Sequence, residues 1–429
     1  MQPSTRTVNV GIIGLGTVGG GVYRLITTHA ERYRKNLGID LRIARVCNRS
    51  EKRAHELGID PEQFTSDWHD IVSDPSIDIV VEVIGGEHPA TEIFEQSFAA
   101  GKHVVTANKA LLGRHMEKLA AAARAAGVQL RCEASCGGGI PIVNTLEHDL
   151  SGNEVITVAG IVNGTTNYIL SRMAEEGLGY EEVLADAQRL GLAEPDPASD
   201  VEGLDAAYKL SILASLAFHG RVPFENVYVE GITQVQAEDI RCGQELGYTL
   251  KLLAIAKRNG LNVETRVHPT FIRNDHPLAN ISGAFNAVFL HGHACGEMMF
   301  MGRGAGDLPT ASAIVSDLVR AASAQKHLYP TFDNELHPAV SLQNNTDWRC
   351  AFYTRMLAKD EPGVLSRIAQ TFADHGVSIA AMQQKGEQHD GRVTVVFIAH
   401  QASERDMQKA ILEIRPAVAT VESLLRVEA

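Results

Sequence analysis

The 429-residue chain lacks several features that would tie it to a membrane or to nucleic acid. No apolar run approaches the roughly 20 residues that a membrane helix needs. The first residues do not follow the charged-then-apolar layout of a signal peptide, because the early apolar stretch is strand-like and ends in glycine. The formal net charge is −13, which argues against a surface for nucleic acid or an anionic membrane. We therefore expect no nucleic-acid and no membrane partner.

The chain also lacks paired cysteines. It has six, and none of them forms a CxxC motif. Scattered thiols in a chain of this length are typical of reduced, cytoplasmic proteins. Cys132 and Cys136 are four residues apart, but a zinc site would need two more ligands nearby, and the sequence offers no candidates.

A glycine-rich turn follows the β-branched run at residues 8–13 and precedes a helical pattern. Strand, GxGxxG and helix in this order are the context of a dinucleotide-binding fingerprint. Gly14 permits the tight turn, Gly16 lets the backbone approach a pyrophosphate, and Gly19 allows close packing of helix on strand. The helix amides would then face the anion. The residues predicted to contact the cofactor here are Gly14, Leu15, Gly16, Thr17, Val18 and Gly19.

The next strand, at residues 41–47, ends without the acid that usually binds the ribose 2′-hydroxyl of NAD. Arg49 and Ser50 stand there instead, and they suit a 2′-phosphate. This favours NADP as the cofactor, with NAD as the alternative. An ordinary basic loop is the other interpretation of the pair.

Strands and helices then alternate as far as residue 132, which predicts a parallel, doubly wound sheet. Residues just past the strand ends of such a sheet face the ligand crevice. Gly85, Asn108 and Lys109 all fall at such positions, so we expect Gly85 and Lys109 to contact the cofactor.

Three glycines precede Pro141 and follow Glu133. Their backbone carbonyls, together with the Glu133 carboxylate, could hold a hard cation through oxygen ligands. A flexible hinge into the next domain explains the same residues equally well.

The stretch at residues 191–213 carries five acids and then runs into an apolar helix with a single cation, Lys209. Asp205 and Lys209 are four residues apart, so they share one face of that helix. A carboxylate and an amine held together against apolar neighbours are suited to proton transfer. The alternative is an ordinary surface ion pair.

The predicted fold class combines α/β and α+β architecture in three parts. A Rossmann-like doubly wound parallel sheet is followed by an α+β substrate and dimerisation domain, which includes one helix over residues 198–218. The last part is a ferredoxin-like βαββαβ domain. The predicted boundaries are 1–134, 135–307, a linker at 326–347 and 348–429, with a helix at 308–325 that returns to the first domain.

Four motifs along residues 8–325 together resemble those of homoserine dehydrogenases, which interconvert aspartate 4-semialdehyde and homoserine with NAD(P). The motifs are Gly14-x-Gly16-x-x-Gly19, Ala107-Asn108-Lys109, Asn163-Gly164-Thr165-Thr166-Asn167-Tyr168-Ile169-Leu170, and Glu194-Pro195-Asp196-Pro197-x-x-Asp200-Val201-x-Gly203-x-Asp205-x-x-x-Lys209. The tail separately resembles an ACT domain, through Asp360-x-Pro362-Gly363-Val364-Leu365 and His375-Gly376-Val377-Ser378-Ile379.

The resemblance implies a role for each polar residue of the long acidic motif. Lys209 matches the family's proton-donating lysine, with Asp205 one turn before it. Asp205 and Glu194 match acids that hold the substrate amino group and neighbouring water, and Asp200 would add to this acidic end. Lys109 matches a lysine near both cofactor and substrate.

The resemblance also implies contacts made by backbone. Gly191 and Gly306 match residues whose backbone touches the cofactor. A sodium site, in which all but the glutamate contribute carbonyl oxygens, is matched by Glu133, Cys136, Gly138 and Ile140.

Regulation and assembly follow from the ACT-like tail. It implies feedback by an amino acid, with threonine as the expected effector, at an interface between such domains. The family implies a homo-oligomer, either dimer or tetramer. Two other functions fit a Rossmann domain with an ACT-like tail: a nucleotide-sensing regulator, which would not need Lys209, and an oxidoreductase for another semialdehyde or amino acid.

Overall fold

The computed structural model describes residues 5–260, 262–323, 341–342, 348–389 and 391–428. The chain divides into two compact units. The first holds the described residues of 1–158, 208–225 and 286–340, and the second holds those of 159–207, 226–285 and 341–429. Across the described ranges, no helix is both long and apolar enough to span a membrane.

The elements of both units are numbered in chain order. The strands are β1 (Arg6–Ile13), β2 (Ile39–Cys47), β3 (Phe64–Thr65), β4 (Ile79–Glu82), β5 (His103–Thr106), β6 (Leu130–Arg131), β7 (Val155–Ile161), β8 (Tyr228–Val229), β9 (Tyr248–Asn259), β10 (Asn262–Arg273), β11 (Phe285–Gly292), β12 (Gly296–Arg303), β13 (Ser341–Leu342), β14 (Arg349–Lys359), β15 (Ile379–His389), β16 (Arg392–Ser403) and β17 (Ala419–Glu428). The α-helices are α1 (Thr17–Leu37), α2 (Lys52–Glu56), α3 (His69–Val72), α4 (Ala90–Ala99), α5 (Lys109–Ala125), α6 (Gly164–Glu176), α7 (Tyr180–Arg189), α8 (Ala198–Val201), α9 (Leu204–Ala217), α10 (Ala237–Glu245), α11 (Asp307–Ala322), α12 (Val364–Asp374) and α13 (Glu404–Ala417).

A six-stranded sheet forms the core of the first unit, in the order β3-β2-β1-β4-β5-β6. Every adjacent pair of strands is parallel. Its central strands are apolar because helices cover both faces of the sheet, and Val10, Ile12 and Val80 are fully buried. The strand order reverses between β1 and β4, which places the ligand crevice of such a sheet at their carboxyl ends.

Helix α11 belongs to the first unit although it lies far along the chain. It packs against α1, where a Cβ atom added at Gly21 would lie 2.9 Å from the Ala311 side chain. Arg24 on α1 forms an ion pair with Asp307 at the start of α11. Residues distant in sequence thus complete the core beside the glycine turn.

The second unit contains a mixed sheet. Strands β9 and β10 form an antiparallel pair, and β10 pairs in parallel with β17 through Thr270 opposite Arg426. The order then continues β17-β14-β16-β15, all antiparallel, and α12 and α13 complete a βαββαβ unit. The predicted fold class is confirmed. The domain boundaries stay predictions.

Two local predictions concern the helix over 198–218 and the linker at 326–347. A single helix over 198–218 is wrong, because Gly203 has a φ of +85° and separates α8 from α9. Most of the predicted linker at 326–347 lies outside the described residues. Two of its residues are described, and they form β13, which pairs in parallel with β10 through Asn262 opposite Ser341.

Candidate active site

The glycine turn after β1 has a different steric requirement at each glycine. Gly14 has a φ of +107°, and a Cβ atom there would lie 2.8 Å from the Val83 carbonyl oxygen. A Cβ atom at Gly19 would lie 1.9 Å from the carbonyl oxygen of Gly14, whereas one at Gly16 would meet nothing within 4 Å. Gly14 and Gly19 therefore allow tight packing, and Gly16 leaves open space in front of α1.

The start of α1 is suited to bind an anion. Among the described residues, no side chain caps the start of α1 at Gly16, and the first turn contains no acid. The backbone amides of Thr17 and Val18 can therefore donate to a bound anion. The Leu15 amide donates to Asn48 Oδ1 at 3.2 Å. This bond ties the turn to the end of β2.

A cleft of about 440 Å³ opens beside the glycine turn. Gly14, Gly16 and Arg49 are among the residues that line it. Arg49 and Ser50 are both exposed, and the Ser50 carbonyl accepts a hydrogen bond from Asn48 Nδ2 at 2.9 Å. The open space, the helix amides and the basic rim together fit a dinucleotide.

Glu82 shapes the carboxyl end of β4. Its side chain is fully buried, and it accepts hydrogen bonds from Thr106 Oγ1 at 2.7 Å, from the Ile84 amide at 2.9 Å and from the Gly85 amide at 3.2 Å. Burial raises the pKa of Glu82, although these bonds oppose the rise. Glu82 was not among the residues predicted from the sequence. An acid at the end of an apolar strand run was the available signal.

Asn108 fixes the start of α5 at the neighbouring strand end. Its Nδ2 donates to the Gly86 carbonyl at 2.7 Å, and its Oδ1 accepts from the Leu111 amide at 3.1 Å. Lys109 is the first residue of α5 and is half-buried. The structure therefore holds Lys109 beside the Gly85–Gly86 turn.

Asn163 brings two of the predicted acids together in the second unit. Its Nδ2 donates to Asp200 Oδ1 at 2.7 Å and to Asp205 Oδ2 at 2.8 Å. Its Oδ1 caps α6 by accepting from the Thr166 amide at 2.9 Å. The side-chain amide of Asn163 thereby orients both carboxylates. It places N–H donors between the two negative charges. Asn163 was part of a quoted motif, but the sequence did not indicate that it contacts these acids.

Asp205 and Lys209 lie one turn apart on α9 and are both buried, with 3% and 7% of their surface exposed. Burial of this extent is inconsistent with an ordinary surface ion pair. Cys136 Sγ lies 3.7 Å from the Lys209 carbonyl oxygen. The segment that follows Glu133 therefore contacts α9.

Three other predicted residues lie at exposed turns. Gly191 (φ +71°) and Glu194 lie between α7 and α8, where Gln188 Nε2 donates to the Glu194 carbonyl at 3.1 Å. Gly306 (φ +122°) directly precedes α11.

Glu133 as a cation ligand stays a prediction, and its carboxylate already accepts three hydrogen bonds. Oε1 accepts from the Val143 amide at 2.9 Å, Oε2 accepts from the Asn144 amide at 2.8 Å, and the Asn144 side chain also donates to Oε2. The Ile140 carbonyl accepts from the Ile142 amide at 2.9 Å. The described ranges also contain no group of three or more His, Cys, Asp or Glu side chains that could hold a metal ion.

Comparison with known proteins agrees with this arrangement. Family models described as "Homoserine dehydrogenase, NAD binding domain" and "Homoserine dehydrogenase" match residues 14–133 and 141–319. The homoserine dehydrogenase of Bacillus subtilis is 41% identical over 99% of both chains. The crystal structure of a homoserine dehydrogenase from Thiobacillus denitrificans superposes with a TM-score of 0.93 at 41% identity, over 99% of both chains.

The chain belongs to the homoserine dehydrogenase family. It is an NAD(P)-dependent oxidoreductase that acts on a CH–OH group, and the predicted family is confirmed. A model for the ACT domain matches residues 352–416, which span β14 to α13. A more distant structure, of a hyperthermophilic archaeal homoserine dehydrogenase in complex with NADPH, is 26% identical with a TM-score of 0.66 and covers 75% of this chain and 100% of its own.

Proposed function

We propose that α9 carries the proton chemistry of the homoserine dehydrogenase reaction. The observation that supports this most directly is the burial of Asp205 and Lys209 on one helix, with Asp205 oriented by Asn163. A lysine ammonium group beside the aldehyde oxygen can stabilise the alkoxide that forms when aspartate 4-semialdehyde is reduced, and can give it a proton to leave the neutral amine. In the oxidative direction the same group accepts the proton.

The acids around Asn163 receive the substrate ammonium in this proposal. Asn163 holds the Asp200 and Asp205 carboxylates on one amide, and two carboxylates placed together attract an ammonium group. Glu194 contributes from its exposed turn, and Lys109 assists with the substrate carboxylate or carbonyl. The dinucleotide, when bound, supplies or accepts the hydride.

The test of this assignment is Lys209→Ala. We expect turnover to fall by roughly 10²–10⁴-fold, the range of general acid catalysis, with the dissociation constant of the cofactor unchanged. Lys118→Ala is the control, because Lys118 is an exposed lysine that pairs with Glu95. Near-normal turnover of Lys209→Ala would refute the role.

We infer that NADP is the preferred cofactor. Arg49 lines the cleft beside the glycine turn, and a guanidinium suits a 2′-phosphate. The archaeal relative described with NADPH is consistent with this choice. Arg49→Ala should raise KM for NADPH about tenfold or more and leave KM for NADH nearly unchanged. Equal effects on both would contradict the preference.

We further propose that the enzyme is feedback-inhibited by threonine through the ACT domain, as part of threonine and methionine biosynthesis. Deletion of residues 348–429 would be a poor test, because β17 pairs with β10 and Glu428 forms an ion pair with Arg266. Threonine titration of the full chain is better. Absence of inhibition at millimolar threonine would refute the proposal.

Three subsidiary proposals complete the function. Sodium binding, which the resemblance implied, would use Glu133 together with the carbonyls of Cys136, Gly138 and Ile140. Replacing sodium by potassium at constant ionic strength tests it. A homo-oligomer, dimer or tetramer, is tested by light scattering. A cytoplasmic location is consistent with the free thiols of all six cysteines.

A further inference from the structure

Glu82, the last residue of β4, lies opposite the last residue of β5. The register of this parallel pair places Glu82 beside Thr106, and both side chains are fully buried. Glu82 Oε2 accepts from Thr106 Oγ1 at 2.7 Å. The Thr106 hydroxyl in turn accepts from the Asn108 amide at 2.9 Å. The carboxylate is therefore connected to the start of α5 through one hydroxyl group.

The same carboxylate holds the turn that follows β4. Its Oε1 accepts from the amides of Ile84 and Gly85 at 2.9 Å and 3.2 Å. Gly85 and Gly86 have φ values of +71° and +75°, and the Gly86 carbonyl accepts from Asn108 Nδ2 at 2.7 Å. These contacts close into a ring that runs from the carboxylate to the turn, then to α5, and back through the β5 hydroxyl. We call this set the carboxylate ring; its members are Glu82, Ile84, Gly85, Gly86, Thr106 and Asn108.

The carboxylate ring borders the cleft that fits a dinucleotide. Ile84 lines that cleft together with Val83. The Val83 carbonyl oxygen lies against the glycine turn, 2.8 Å from the position that a Cβ atom at Gly14 would take. Lys109 directly follows Asn108. A shift of the ring would therefore move both a wall of the cleft and the first residue of α5.

The opposite edge of the same two strands is also held by one buried side chain. Lys102 precedes β5 and is 3% exposed. Its Nζ donates to the carbonyls of Asp74 and Ile77, just before β4, at 2.5 Å and 2.8 Å. Because β4 and β5 are parallel, these residues lie at the amino ends of the strands, away from the ligand crevice at the carboxyl ends. Lys102 therefore serves as a reference for a bond that only joins the two strands.

We propose that Glu82 is a positioning residue for the reaction. Through the carboxylate ring it fixes the cleft wall at Ile84 and the start of α5 at Lys109 in one arrangement relative to the bound dinucleotide. The carboxylate, the Thr106 hydroxyl and the Asn108 side chain each hold at least two partners, so no part of the ring can shift alone. The effect on turnover rests on the proposed role of Lys109, whereas the effect on cofactor affinity does not.

The experiment compares Glu82→Leu and Thr106→Val with Lys102→Met in the full chain. Glu82→Leu removes the acceptors, and Thr106→Val removes the hydroxyl at nearly unchanged volume. We expect the dissociation constant of NADPH, measured by its fluorescence, to rise at least about threefold and kcat for homoserine oxidation to fall roughly 10–100-fold, because small displacements at a reacting centre have effects of this size. Lys102→Met should lower the melting temperature and leave both quantities unchanged. Thr106→Ser, which keeps the hydroxyl, should retain near-normal values of both.

The outcomes separate positioning from a structural bond. A rise of the NADPH dissociation constant in Thr106→Val that is absent from Thr106→Ser and Lys102→Met supports the proposal, and this comparison decides it even if Glu82→Leu does not fold. The proposal is overturned if Thr106→Val binds NADPH normally, or if Thr106→Ser or Lys102→Met weakens binding as much. Lys109→Ala tests the lysine separately: normal turnover of that variant would refute the role of Lys109, and the NADPH dissociation constants would still decide the carboxylate ring.

Discussion

Two buried clusters of side chains, one in each unit, hold acids in opposite ways. In the first unit, Asp317 and Glu133 oppose the ionisation of Glu147, and Glu133 opposes that of Asp317. In the second, buried arginines are paired with acids, as in Arg266 with Glu428. The difference shows that burial by itself does not decide whether a carboxyl group keeps its charge. The sign of its neighbours decides it.

In the cluster of the first unit, the pKa values of Glu147 and Asp317 are raised. Burial, reinforced by Asp317, raises the pKa of Glu147 to about 8 despite the opposing charge of Arg131. Burial and the nearby Glu133 raise the pKa of Asp317 to about 6, although Asp317 Oδ2 accepts from the Glu133 amide at 2.8 Å. Protons held by these groups stabilise the unit.

In the cluster of the second unit, Glu428 has a lowered pKa and keeps its charge. Burial would raise the pKa of Glu428, but Arg266 and Lys257 outweigh it and hold that pKa below its ordinary value. Lys257 Nζ lies 2.6 Å from Glu428 Oε2. Glu428 therefore adds stability above its unfolded pKa of 4.5 and loses it as the pH falls through the lower folded value. Glu147 and Asp317 have the opposite dependence, because their pKa values are raised in the folded protein.

The largest effect should come from breaking a buried pair in the second unit. Arg426→Ala leaves Glu404, whose side chain is 3% exposed, without its cation, and we expect a loss of about 3–5 kcal/mol in the free energy of unfolding. Fluorescence of the buried Trp348 during urea unfolding, in a Trp68→Phe background, reports on this unit. The double variant Arg426→Met, Glu404→Met should recover part of the loss. A change below about 1 kcal/mol for Arg426→Ala would mean that the pair contributes little.

A smaller, pH-dependent effect is expected from Glu147→Gln in the first unit. The folded protein keeps the Glu147 proton up to about pH 8, whereas the unfolded chain releases it near 4.5, so the free energy of unfolding falls as the pH rises between these values. The variant should match the unaltered protein near pH 5 and exceed it by roughly 2–5 kcal/mol at pH 9. Melting temperatures across this range measure the gap. Glu95→Gln, at an exposed pair with Lys118, is the control, and a gap that shrinks with rising pH would reverse the assignment.

The smallest effect should come from an exposed pair in the second unit. Arg241 and Glu238 are in contact at 2.7 Å with 62% and 36% of their side chains exposed. Arg241→Ala should change the free energy of unfolding by no more than about 0.5 kcal/mol. The urea experiment used for Arg426 measures it, and a loss comparable to that of Arg426→Ala would show that burial is not the deciding difference.

Much of the fold could be predicted because its signals are local. The apolar run of β1, the glycine turn and the start of α1 are consecutive, and the strand ends at Gly85 and Asn108 follow directly from alternation. The same locality limited the prediction of α8 and α9. The helical pattern of the sequence continues across Gly203. The positive φ of Gly203 nevertheless ends α8 before α9 begins.

The sequence predicted which residues belong to the candidate site, but it did not predict the contacts between them. Asp205 and Lys209 were selected by spacing, and their burial became apparent only in the structure. Asn163 is 37 residues from Asp200 in sequence, and no pattern indicated that its amide holds two acids. The pairing of β10 with β17 joins residues still further apart.

The sequence by itself determined the dinucleotide turn, the order of strands and helices, and the acidic motif, because each depends on residues within a turn or strand of one another. Tertiary structure decided which carboxyl groups are charged. Glu147 and Glu428 are the same residue type, and a residue's own chemistry fixes only its ordinary pKa. Depth of burial and the sign of neighbouring charges shift that pKa, and both depend on segments brought together from distant parts of the chain.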